Sequence, residues 1–201
     1  MMIKLDIFQN YFLFFSIAIG IIRLYFGKQR LTLYKKSFNP IFDKISSILN
    51  SLGMAFFPLM NIFFSFFEKY KLKVPTIIKI ISVIFFCLAT IIFYFSHKEL
   101  GDNWSPIIAI KEKQKLVKTG IYKYIRHPMY LSVWIFAIFE GFLLSNYFLG
   151  IFAILFWTNL YFFRVSNEEK IMIDTFGKEY EEYIKYTGRI FPKLKLKKNK
   201  K

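Results

Sequence analysis

The sequence predicts an all-α polytopic membrane protein with about five transmembrane helices, and three observations predict it. Of 201 residues, 55% are hydrophobic and 27 are phenylalanine, more than one soluble core of this length could hide. The chain nonetheless carries 29 Lys and Arg against 13 Asp and Glu, a net charge of +16, so its apolar and basic residues must be segregated. The apolar residues also fall into runs close to the roughly 17 to 25 residues that a spanning helix needs. Disorder is excluded, because it requires low hydrophobicity.

The runs are 8–26, 45–67, 76–95, 129–144 and 148–163. The first carries Arg23 and lacks a small-residue cleavage site, so it reads as a retained span and not a signal peptide. Arg23 and Lys79, near span ends, are expected to snorkel toward the interface. The last two runs are short and only Ser145, Asn146 and Tyr147 separate them, which predicts an antiparallel helical hairpin. Beyond Arg164, where the fifth span leaves the membrane, Ile171, Ile173, Phe176, Tyr180 and Tyr183 predict a cytoplasmic amphipathic helix broken at Gly177. The chain thus divides into three N-terminal spans (1–95), a connector with hairpin and amphipathic helix (96–192), and a basic tail (193–201).

Cations set the orientation. If the hairpin turn is outside, 23 of the 29 Lys and Arg lie inside, in 27–44, 96–128 and 164–201, against four on the opposite side. That asymmetry places the N-terminus outside and the C-terminal tail in the cytoplasm of a multi-pass plasma-membrane protein. The cations border apolar spans, so they suit anionic lipid headgroups and not nucleic acid. The terminal KLKLKKNKK run reads as a solvated or lipid-skimming tail. Cys87 is the single cysteine, which excludes an internal disulfide, and with only His97 and His127 no metal site is expected. Abundant Lys, Ile, Phe and Asn suggest an AT-rich, prokaryotic genome.

Two segments exceed what membrane anchoring needs. The first, 100–130, enters the fourth span through Arg126, His127 and Pro128. Proline is tolerated in a first helical turn, which puts His127 at a helix mouth whose dipole favours an anion. Tyr130 sits about one turn deeper, and Tyr122 is close enough to fold back over the same site. The alternative is that Arg126 and His127 are interfacial anchors and the tyrosines an aromatic belt. The second segment, 164–192, begins with Arg164 and Glu168 on one helical face, either a simple i,i+4 pair or, at membrane depth, a functional site. Glu169 reads as either a second ligand or a solvated neighbour, and the latter is favoured. Because the hairpin makes its inner ends neighbours, His127 and Tyr130 are predicted to face Arg164 and Glu168.

These residues also carry a resemblance. The stretch LGxxWSP, then LVxTGIYKYIRHPMY, a hydrophobic hairpin, and RVxNEEKxxIxxFGKEYxxYxxxTGRxFP resembles the isoprenylcysteine carboxyl methyltransferase family of integral membrane enzymes, related to the phospholipid methyltransferases. The resemblance covers about residues 100–192, with Ser132 where many members have Gly. It implies S-adenosylmethionine as methyl donor, with Gln114, Leu116, Val117, Tyr122, His127, Pro128, Met129 and Tyr130 lining its pocket. It further implies that Glu168 binds the cofactor's amino group and that Arg164 orients the substrate carboxylate. Charge agrees: an ammonium calls for a carboxylate, and arginine meets a carboxylate with a bidentate fork. The implied reaction is carboxyl O-methylation of an isoprenylcysteine-like or other lipophilic acid. The alternatives are N-methylation of a phospholipid or amine, or a non-methylating membrane protein on the same helical frame.

Overall fold

A computed structural model describes residues 5–28, 34–37, 40–105, 107–111 and 114–193. The first run forms α1 (Ile7–Lys28), which directs Phe12, Phe15 and Phe26 inward and leaves Phe14, Ile17, Ile21 and Leu24 exposed for lipid. The second forms α2 (Pro40–Ser51) and α3 (Phe57–Phe64), joined by a π-helical turn over Leu52–Phe56. Pro58 accounts for that turn: it cannot donate to the carbonyl four residues back, and its ring would crowd that carbonyl. Gly53 lets the turn approach the last span, since a Cβ there would lie 2.8 Å from the Phe156 ring and 3.0 Å from the Phe152 carbonyl oxygen.

Pro75 precedes α4 (Thr76–Leu100), and Gly101, at φ +48°, follows it. Ser82, Thr90 and Ser96 bond back to carbonyls one turn earlier at 2.7–2.8 Å, which satisfies these three hydroxyls within the helix. One stripe of α4, Ile77, Ile84 and Ile91, is exposed, while Phe86, Ala89 and Phe93 are buried.

The hairpin is α5 (Pro128–Leu143) and α6 (Tyr147–Phe176). Ser145 turns it in the left-handed region at φ +53°, and the Asn146 side chain caps α6 by accepting from the Leu149 N–H at 3.2 Å. The helices touch through glycines: a Cβ on Gly141 would stand 2.7 Å from the Gly150 Cα. The helix that holds the fifth apolar run extends beyond that run, as the shared helical face of Arg164 and Glu168 suggested. It does not end near Arg164 but continues as one 30-residue helix to Phe176, and the break falls at Gly177 (φ +51°), after which α7 (Lys178–Tyr186) turns away.

Helix α1 packs on α4, α4 along α5, α5 against α6, and α2 against α6. The core on the α1 side gathers Phe12, Phe15, Ile62, Phe86, Phe136 and Leu143, and the hairpin core Ala137, Ala153, Trp157, Leu160 and Val165. Among the described residues four helices, with α2 and α3 counted as one through the π-helical turn, are long and apolar enough to cross a membrane, and α5 is a shorter apolar helix. The chain is thus a multi-pass helical membrane protein. One small element escaped the sequence: β1 (Tyr34–Ser37) pairs antiparallel with β2 (Ala109–Lys111). That ribbon brings two of the three cation-rich segments together at one end of the bundle. The basic tail beyond Lys193 lies outside the described residues.

Candidate functional site

The site forms where the two motif segments meet. At the mouth of α5 the Arg126 N–H bonds the Gly188 carbonyl at 2.9 Å and the His127 N–H bonds the Arg189 carbonyl at 2.8 Å, zipping RHP to TGR through the main chain. Gly188 is required there, because a Cβ would overlap the Phe191 carbonyl oxygen. The Arg126 guanidinium donates to the Thr187 carbonyl as well.

Glu169 anchors this junction, and it is not the solvated neighbour the sequence suggested. It is 7% exposed and accepts from Arg126 Nε (3.0 Å) and Nη2 (2.9 Å) and from Arg189 Nε (2.9 Å), with His127 Nε2 at 3.3 Å. A buried carboxylate is tolerated when charge-assisted hydrogen bonds of this kind satisfy it. The bond to Glu169 raises the already high pKa of Arg189. Arg126, likewise, is 9% exposed and is no interfacial anchor.

Glu168, one residue away, points elsewhere. Its side chain is 29% exposed and borders a cavity of about 230 Å³; the Tyr130 hydroxyl donates to it, and His127 Nδ1 lies 3.7 Å away. The His127 and Tyr130 rings stack in parallel with centroids 5.4 Å apart. Nine of the ten expected site residues, Gln114, Leu116, Val117, Tyr122, His127, Met129, Tyr130, Arg164 and Glu168, line this one cavity. Pro128 does not; it is fully buried and starts α5.

The cavity's outer cover is the connector. Ile108 and Ile110 pack on Ile171, and Gln114 closes the following turn by accepting from the Lys111 N–H at 3.0 Å. Tyr122 folds back as expected, and its hydroxyl lies 3.4 Å from the Ser96 carbonyl. Its own carbonyl receives the Tyr183 hydroxyl of α7. Burial pushes the pKa of Tyr122, Tyr180 and Tyr183 above the ordinary tyrosine value, so all three remain neutral.

Arg164 has a partner that the sequence did not disclose. Asp43 of α2, 2% exposed, meets it with both oxygens, at 2.7 Å from Nε and 2.9 Å from Nη2, and Ser47 lies 3.3 Å from Nη2. A lone aspartate at the start of an apolar run on the cation-rich side was the only available signal. Arg23, expected near a span end, also lines the cavity.

Fold and cavity together define a multi-pass helical membrane protein with a ligand-sized chamber at one end of its bundle. Residues 82–174 match the sequence model of the isoprenylcysteine carboxyl methyltransferase family. The protein-S-isoprenylcysteine O-methyltransferase of Schizosaccharomyces pombe is 29% identical over 143 residues, 70% of this chain and 55% of that protein. The enzyme of that name from Saccharomyces cerevisiae is 38% identical over 91 residues, 44% of this chain and 38% of that protein. A solved structure of the eukaryotic intramembrane Ras methyltransferase of this family aligns with a TM-score of 0.50 at 19% identity, covering 79% of this chain and 54% of that one; at this identity it speaks for the fold alone. The chain spans about half the length, or less, of these relatives. The segment that matches the family model runs from within α4 to the last turn of α6.

Proposed function

We propose that the chain is an S-adenosylmethionine-dependent methyltransferase that esterifies an isoprenylcysteine-like or other lipophilic carboxylic acid, with its C-terminal tail in the cytoplasm of a prokaryotic plasma membrane. One observation carries the reading: a single cavity is walled both by a partly exposed carboxylate, Glu168, and by a guanidinium, Arg164. The donor set suits S-adenosylmethionine, since Glu168 offers an ammonium its counter-charge while Leu116, Val117, Met129 and Tyr122 supply apolar walls. That cofactor brings a methyl group already activated on a sulfonium.

The chain's own residues then bind and orient. Tyr130 fixes the Glu168 carboxylate by a hydrogen bond, and His127 holds the stacked Tyr130 ring in place. Gln114 fixes the connector turn that closes over the cavity. Asp43 and Ser47 hold Arg164, which keeps positive charge beside the acceptor end. A carboxylate with a reference pKa near ~4 is already a nucleophile at neutral pH, so no general base is needed. Rate enhancement comes from positioning and from excluding water at the reacting carboxylate. Cations concentrated in 27–44, 96–128 and 164–201 support the assigned orientation. The Lys, Ile, Phe and Asn richness supports the prokaryotic assignment.

Transfer of labelled methyl to an N-acetyl-S-prenylcysteine by detergent-solubilised protein tests the reaction. The expected product releases volatile methanol on base treatment, as an ester does. Label retained through base would instead indicate a methylated amine, and no incorporation in a folded sample would refute methyl transfer to this acceptor class.

A further inference from the structure

We infer that Arg23, on the first helix and outside the segment that matches the family, is the residue that docks the acceptor's carboxylate. The inference deepens the proposed function and rests on it. Arg23 lies between Ile19, which packs on the α1-side core, and Phe26, whose ring is 5.7 Å from His97, so it shares the inward face of α1. Its side chain lines the same cavity as Asn50 of α2, Tyr130 and Arg164. It is exposed by area, but what it borders is the open chamber.

Charge pairing sets it apart from the other arginines around the cavity. Arg126 and Arg189 share Glu169, and Arg164 has its fork filled by Asp43. Arg23 has no ion-pair partner among the described residues. A guanidinium that lines a largely apolar chamber without a counter-charge is costly, and an anionic ligand removes that cost. A second polar group waits at the same end: Asn50 Oδ1 is buried with no hydrogen-bond partner among the described residues. The amide can donate or accept, because its oxygen and nitrogen are interchangeable by a flip. Asp43 therefore makes Arg164 a positioning residue, which leaves Arg23 to read the acid and Asn50 to meet its neighbouring polar group. The acceptor is accordingly an anionic amphiphile; a neutral or cationic one would leave Arg23 uncompensated.

The test is binding without turnover, on the full chain in detergent. An N-acetyl-S-prenylcysteine and its primary amide are titrated into wild type, Arg23→Gln and Arg23→Lys, with S-adenosylhomocysteine affinity as the control for an intact cavity. Wild type binds the acid about tenfold more tightly than the amide, Arg23→Gln abolishes that preference, and Arg23→Lys restores part of it, all with unchanged S-adenosylhomocysteine affinity. An acid preference that persists in Arg23→Gln, or none in wild type, overturns the inference and returns Arg23 to an interfacial anchor. Failure of S-adenosylhomocysteine to bind any folded variant would instead strike the proposed function itself.

Discussion

The two walls of the cavity are built on different plans. The first, made of the α5 mouth, the C-terminal half of α6 and the TGR segment, is tied by main-chain bonds and by one buried carboxylate, Glu169, shared among two arginines and a histidine. The second comes from α1 and α2, and the ion pair that ties it to the first is Arg164 with Asp43. The family match covers much of the first wall and stops short of the second. Redundant local bonding suits a wall that presents fixed groups, as the proposed methyl donor requires. A wall held by a long-range side-chain pair leaves the surface where the proposed acceptor would sit free to differ.

Breaking the first wall should have the largest effect. Glu169→Ala leaves Arg126 buried without its carboxylate and is expected to cost about 3–5 kcal/mol, seen as a large fall in Tm in detergent. A shift under about 1 kcal/mol would show that the main-chain zipper suffices. Breaking the second wall should spare the fold's cofactor side. Arg164→Ala and Asp43→Asn are each expected to raise the acceptor KM about tenfold while S-adenosylhomocysteine affinity is retained. Equal loss of both ligands would abolish the distinction between the walls.

Alkaline unfolding sharpens the comparison further, because Tyr122, Tyr180 and Tyr183 all cover the first wall. Their pKa values are raised by burial, so their contribution to stability is complete below the ordinary value of about 10. It declines as pH rises beyond that, when the unfolded chain ionises first. Phenylalanine at Tyr183 should blunt this loss, as followed by Tm between pH 9 and 11. The smallest effect belongs to neither wall. Glu140 of α5 is 1% exposed and its Oε1 has no hydrogen-bond partner among the described residues. Glu140→Leu is expected to raise stability by about 1 kcal/mol; a fall in Tm would mean that the carboxyl has a ligand.

The contrast also explains what could be read from the chain. Five spans were legible because helices in lipid must be apolar over most of their surface, and the hairpin because three residues permit no other connection. Glu168, His127 and Tyr130 were legible because α5 and α6 are consecutive, so sequence order implies proximity. Asp43 is 121 positions from Arg164, and no local pattern announces such a pairing. Glu169 was misjudged for a related reason. Neighbours on a helix point about 100° apart, so periodicity alone does not tell which of two glutamates turns to solvent and which turns to Arg126. That the fifth apolar run and the polar helix after Arg164 form one unbroken helix was hidden by the change from apolar to polar residues, which need not mark a helix end.

Equilibrium binding of S-adenosylhomocysteine to the detergent-solubilised wild type and to Glu168→Ala tests the central claim most directly. The wild type should bind in the micromolar range, and Glu168→Ala, with an unchanged Tm, should lose roughly ten- to a hundredfold in affinity. Absence of binding by folded wild type at high micromolar ligand, or equal affinity in the two proteins, would contradict the assignment of this cavity to the methyl donor.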